Sequence, residues 1–291
     1  MIEMIANVFG AVIRVIYNLT QDNYALSIIL FTILTKTLLF PLSLKQMKST
    51  KEMQKVKPKY DEIVKKYKND KTKQGEEITK LYSEHKINPL GGCLPILIQL
   101  PLILGMFYIV RQPLTYVIQT PKDQIEIFTK QLLNKDKVSS AEMSNSEIQI
   151  ANNNKLIDMN FIGLNLGDIP SNVFSKDATK KTNPISILIP ILSVLFSIYQ
   201  IKQMQKSNEM TEEQKDMQKS MNLMMPLLSG FIAFTMPLAL GIYWLIGSVC
   251  QIAQQYFINK LMEEQKKDDV SFLLDSDKGG KSNEKNNWTS R

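Results

Sequence analysis

Four blocks of the chain, residues 24–44, 90–110, 184–201 and 221–259, are almost free of charge. Each is at least about 18 residues long, enough to cross roughly 30 Å of hydrocarbon at 1.5 Å per residue. Nothing else in the sequence narrows the fold so far. The last block has 39 residues, too many for one span, and "TMPLALG" (235–241) supplies a turn through Pro237 and Gly241. Five membrane helices are therefore expected, with the termini on opposite sides.

Lysine placement sets the orientation. Residues 45–88 hold 13 Lys against 7 acids, while 114–183 balance 8 Lys with 8 acids. The first segment should be cytoplasmic and the second external. The expected spans are 23–44, 89–113, 184–204, 220–237 and 238–260. Between them lie a cytoplasmic coiled-coil hairpin (45–88), an external loop (114–183) and a cytoplasmic loop (205–219). A polar, charge-balanced tail over 261–291 is expected to be disordered. At the N-terminus, Glu3 and Arg14 argue against a signal peptide. Apolar residues at 5, 8, 9, 12, 13 and 16 predict an amphipathic helix over 1–22, lying in the outer interface. Cys93 and Cys250 fall in spans and read as small apolar residues, without metal-site spacing.

In the cytoplasmic segment, Met53, Val56, Tyr60, Ile63 and Tyr67 step by 3, 4, 3, 4, the seam of a coiled coil. "KNDKTKQG" (68–75) breaks the pattern, Gln74, Ile78, Leu81 and Tyr82 rebuild it, and Asn88-Pro89 ends it. An antiparallel helical hairpin follows. Its basic surface is either a solvated spacer that fixes topology, or a docking surface for anionic lipid heads, ribosomal RNA or a targeting factor.

Polar residues inside the spans fall on stripes. Thr32, Thr35, Lys36 and Ser43 share about 100° of the first helix. Ser186, Ser193, Ser197 and Gln200 share a face of the third, and Trp244, Ser248, Gln251 and Gln255 a face of the fifth. Gln99 is the main polar group of the second span. Each stripe alone reads as hydrogen-bonding glue between packed helices. Lys36 shifts that balance. None of the blocks holds an Asp or Glu, so its charge calls for water, and the stripes are expected to line a common wet cavity. The first helix can carry the lysine: Lys at the centre costs about 2.5–3.5 kcal/mol, against roughly 4–7 kcal/mol gained from twelve Leu, Ile and Phe residues. Lys45 lies about 13 Å further along the axis, so Lys36 belongs in the inner half of the bilayer.

Most function classes lack their residues. The one histidine, His85, falls in the hairpin, and HExxH, GxSxG and paired membrane carboxylates are missing; no enzyme and no cofactor are expected. Repeated halves with acidic mid-membrane residues, as in ion-coupled transporters, are missing as well. A channel stays open but lacks a filter-like motif.

Three stretches carry a specific likeness: "FPLSLKQMKSTKEMQKVKPKYDEIVKKY", "KLYSEHKINPLGGCLPILIQLPLILGMFYIVRQP" and "MPLALGIYWLIGSVCQIAQQYFINK". Together they resemble the YidC branch of the YidC/Oxa/Alb membrane protein insertases, in its Gram-positive type without a large external β-rich domain. The resemblance implies an all-α integral membrane protein of five helices around a hydrophilic groove, open to the cytoplasm and lipid and closed outside. It implies an insertase and chaperone of the bacterial plasma membrane that guides transmembrane segments into the bilayer without ATP hydrolysis. Its clients would be nascent membrane proteins, its partners the ribosome, the signal recognition particle pathway, the Sec translocon and lipids, with no small-molecule substrate. Lys36 takes the family's positive position, five residues before Pro41, and Gln99 and Trp244 match other groove-lining positions. The expected groove residues are Thr32, Thr35, Lys36, Gln99, Ser193, Ser197, Gln200, Trp244, Ser248 and Gln251. Lysine here departs from the usual arginine, keeping the charge but losing the bidentate fork.

Overall fold

A computed structural model describes residues 2–87, 94–177, 181–206 and 212–284. The expected Asn88-Pro89 stop and Cys93 lie outside them. The described chain is mostly helical. Two of its helices, Tyr24–Ser49 and Pro184–Gln203, are long and apolar enough to cross a membrane; Gln99–Arg111 and Leu223–Thr235 are shorter apolar helices.

Helix α1 (Ile2–Leu19) packs on α2 (Tyr24–Lys55) and on α5 (Leu94–Arg111). Its buried stripe is Ala6, Gly10, Ile13 and Tyr17, while Val8 is 57% exposed. Ile13 is shared with the predicted apolar face; Ala6 and Gly10 join the buried stripe because small residues admit close neighbours. A Cβ on Gly10 would lie 3.1 Å from the Tyr116 carbonyl, and one on Gly105 of α5 only 2.6 Å from the Phe9 ring. Phe9 in turn meets Phe31 edge-on.

Past residue 44, α2 continues into its charged stretch to Lys55 and stops before Pro58, which has no N–H for the carbonyl four residues back and is tolerated only in the first turn of the next helix. Then α3 (Lys57–Lys66) and α4 (Lys71–Glu84) pack through Val56, Leu81 and Ile87, with Tyr60 stacked on Tyr82. The turn is tighter than the predicted 68–75. Asp70 caps α4 by accepting from the Lys73 N–H at 3.1 Å, so the helix begins within the polar stretch. Gln74 then donates to the Val64 carbonyl at 3.1 Å and ties the two helices together.

Segment 114–183 is ordered wherever it is described. A short α6 (Pro113–Tyr116) leads to α7 (Lys122–Leu133) and α8 (Ser140–Asn153), which pack together. A two-residue hairpin follows, β1 (Asn160–Phe161) antiparallel to β2 (Leu164–Asn165). The buried Glu147 of α8 accepts from the Thr115 N–H at 2.9 Å and the Thr115 hydroxyl at 2.6 Å. Burial still pushes its carboxyl up, against those two hydrogen bonds. Asn23 bridges Asp158, and the core joins Ile148, Ile157, Met159 and Leu166 to Tyr24, Ile28 and Leu238.

Helix α9 (Leu188–Lys206) lies along α10 (Glu212–Thr235). Pro237 ends the turn after α10, but Gly241 does not belong to it. It sits inside α11 (Leu238–Glu284), where a Cβ would lie 2.9 Å from Ile189. The first two amides of α11 donate to the Asp168 and Leu166 carbonyls at 2.8 and 3.0 Å, which satisfies N–H groups that a helix start leaves orphaned. Helix α11 continues to Glu284, so residues 261–284 are helical where disorder was expected; the Leu, Met, Glu, Gln and Lys of 261–267 are good helix formers. The chain divides into two compact units, 1–251 and 252–291. In the second, Gln255 donates to Asn259 at 3.0 Å.

Candidate functional site

The polar residues of the apolar helices sort by where their hydrogen bonds go. Thr32 donates to the Ile28 carbonyl at 2.6 Å and Thr35 to the Phe31 and Thr32 carbonyls at 3.0 and 2.9 Å. Ser193 and Ser248 likewise bond the carbonyls of Ile189 and Trp244, at 2.9 and 3.0 Å. Such bonds to the preceding turn let a hydroxyl sit in an apolar helix without an outside partner. Ser197 behaves differently: its Oγ lies 3.0 Å from Ser229 Oγ, a buried link between α9 and α10. Gln200 and Trp244 are half-buried.

Lys36 makes the long-range contacts. Its ammonium donates to Gln99 Oε1 at 3.3 Å and to Gln251 Oε1 at 3.4 Å. Three helices therefore converge on one charge: α2 supplies the cation, α5 and α11 the amides. The first-span lysine, the second-span glutamine and one member of the fifth-span stripe meet. Ser193 and Ser197 spend their hydrogen bonds on α9 and α10 instead.

One residue at this site was missed from the sequence. On Gly247 a Cβ would lie 3.5 Å from Lys36 Cε and 3.9 Å from Thr32 Cγ2, ordinary contact distances, so an alanine fits beside the lysine stem and a larger side chain would meet it. The signal was there, since Gly247 precedes Gln251 by four residues and follows Trp244 by three, on the same helical face. Met106 is fully buried in the core, whereas Met224 of α10 is exposed. Among the described residues, no group of three or more His, Cys, Asp or Glu could hold a metal ion.

Apolar faces flank these helices. On α9, Leu188, Ile191, Leu195 and Ile198 are exposed at steps of 3, 4 and 3; on α10, Leu223, Met224, Leu227, Leu228 and Phe231 are exposed. Continuous apolar surface of this kind marks contact with lipid or with another apolar segment. Chemically, the site offers a cation that donates to two amide oxygens, beside helices whose exposed faces are apolar.

Comparison with known proteins points one way. The sequence model of a family described as "60Kd inner membrane protein" matches residues 15–266. A "Membrane protein insertase YidC" from Fusobacterium nucleatum is 32% identical over 238 residues, 82% of this chain and 87% of that protein. The one from Oceanobacillus iheyensis is 31% identical over 253 residues, covering 84% and 78%. A Geobacter relative of the same name is 30% identical over 252 residues, 86% of this chain but 36% of its own longer length.

Proposed function

The chain belongs to the 60Kd inner membrane protein family, that of the YidC membrane protein insertases, and from that premise we propose that it works as an insertase and membrane chaperone for nascent membrane proteins. Five spans, in α2, α5, α9, α10 and the first part of α11, enclose a hydrophilic groove open to the cytoplasm and to lipid. Residues Thr32, Thr35, Lys36, Gln99, Ser193, Ser197, Gln200, Trp244, Ser248 and Gln251 belong to it. The N-terminus is external and the α3–α4 pair cytoplasmic, on the side where the ribosome, the signal recognition particle pathway and the Sec translocon would deliver a client.

The observation that supports this best is the meeting of Lys36, Gln99 and Gln251 from three helices. A polar client segment that must cross hydrocarbon loses its water, and each unsatisfied group costs several kcal/mol, of order 2–7. Polar groups part-way across the bilayer shorten that dry path. Lys36 attracts an acidic or polar segment into the groove while the client's apolar helix slides along the third and fifth spans, α9 and the first part of α11. Burial of that helix in lipid drives the process, so no ATP is consumed.

Photo-crosslinkers test the route. Placed at Gln251 and Trp244, they should capture a nascent single-span client, while Val15, exposed on α1, should capture lipid. Client captured equally at all three positions, or at Val15 alone, would contradict the groove.

A further inference from the structure

The corner between β2 and α9 is fastened at both ends, yet it presents apolar side chains outward. It holds two 3₁₀ turns, Pro170–Phe174 and Pro184–Ile187, which pack on each other. The Thr182 hydroxyl donates to the Ile169 carbonyl at 3.4 Å, the Asp168 carbonyl accepts from the first amide of α11, and Asn183 caps the second turn. In a corner held this way, Phe174 is still 72% exposed and Ile185 60%. Neither stands apart from the apolar helices. The Phe174 ring lies 6.3 Å from that of Phe234, in the last turn of α10 and three residues beyond the exposed Phe231. Ile185 continues the exposed stripe of α9, three residues before Leu188. Residues 174–187 carry three lysines against one aspartate. Lys176, two residues after Phe174, and Lys181, four before Ile185, are exposed.

We propose that this corner is a lipid-binding anchor. Phe174 and Ile185 seat in the acyl layer of the leaflet that the ends of α9 and α10 meet, and Lys176 and Lys181 take the phosphates of anionic headgroups. An exposed apolar surface continuous with the faces of membrane helices is covered by what covers those helices, and Pro184–Gln203 is long and apolar enough to span hydrocarbon. Lysine stems lie along apolar surface while their ammonium groups reach the headgroups, and an excess of lysine there draws anionic lipid. A phosphate carried on a lipid satisfies both halves of the corner; a free anion would leave Phe174 and Ile185 in water. The anchor seats segment 114–183, which holds the starts of α2 and α11, on the bilayer. It goes beyond the insertase reading and rests only on the part that places α9 and α10 in the membrane.

The test uses the full chain in vesicles of phosphatidylcholine and phosphatidylglycerol, with bromine on the acyl chains of one lipid at a time as a contact quencher of tryptophan. Four variants each add one tryptophan: Phe174→Trp, Ile185→Trp, Leu195→Trp on the exposed face of α9, and Asp136→Trp in the exposed connection between α7 and α8. The emission of the wild type, with its own Trp244 and Trp288, is subtracted. Phe174→Trp and Ile185→Trp should be quenched about as strongly as Leu195→Trp, and Asp136→Trp should not be. At equal lipid content, brominated phosphatidylglycerol should quench positions 174 and 185 more than brominated phosphatidylcholine does. Lys176→Gln with Lys181→Gln should bring the two lipids toward parity, a loss of up to about fivefold in preference per lysine. Two tryptophan positions guard against a local misfit at either one. Quenching at neither, with Leu195→Trp quenched, would place water or protein, a second copy included, over the corner and overturn the proposal. Equal quenching by both lipids with the lysines intact would overturn the headgroup assignment. If Leu195→Trp also escapes quenching, the placement of α9 in the membrane fails first, and the anchor with it.

Discussion

A charged lysine in an apolar helix persists only where other polar groups come to it, and Gln99 and Gln251 come to Lys36 from two different helices. Their convergence places the lysine stem beside Gly247. An alanine there makes ordinary contact with the lysine stem at 3.5 Å and improves helix propensity by up to about 1 kcal/mol. A leucine must displace the stem or tilt α11, an overpacking cost of about 1–3 kcal/mol. Thermal unfolding in detergent should show Gly247→Ala at or above wild type and Gly247→Leu clearly below it. Both sides of the Lys36 contact were readable as polar residues in apolar helices. That they meet was not, because the meeting depends on how three helices rotate about their axes, which no single stripe encodes. Hydroxyls were less legible still: a serine or threonine bonded to its own preceding turn looks the same in sequence as one lining water.

Among the elements, the mostly helical character followed from apolar length, and the faces of the helices followed less well. The face of α1 illustrates why. Size alone does not pick the buried face: the small Ala6 and Gly10 take close contacts beside Ile13 and Tyr17, while Val8 of the predicted face is exposed. Helix α8 follows soluble-protein rules instead. Ser139 accepts from the Glu142 N–H, and Glu142 accepts in return from the Ser139 N–H, a reciprocal capping box. Lys135 also donates to Glu142, and these contacts, with that of Lys135 the largest, hold the carboxyl at about 2, below its ordinary 4.5. Because the folded value is depressed, the contribution is present above pH 4.5 and is lost as pH falls from there through about 2. Amide-exchange protection in the first turn of α8 should decline over that window, and Glu142→Gln should flatten the dependence.

For the whole molecule, segment 114–183 was the least legible region and is the most informative in structure. Its helices are short and its strands have two residues each, so periodicity says little. What orders it is attachment: Asn23 to Asp158 at the start of α2, Glu147 to Thr115 after α5, and the Leu166 and Asp168 carbonyls to the first amides of α11. The segment thereby ties together the beginnings of α2 and α11 and the end of α5, the three helices that carry Lys36, Gln251 and Gln99. The passive groove proposed above would need its helices held at fixed spacing, and these attachments would supply that. The most direct measurement reconstitutes the purified chain alone, without ATP or Sec, in liposomes containing protease. It then follows a single-span client whose external segment becomes cleavable only after crossing. The account predicts cleavage well above protein-free liposomes, reduced by Lys36→Ala for an acidic segment; cleavage at the protein-free level in the wild-type liposomes would contradict it.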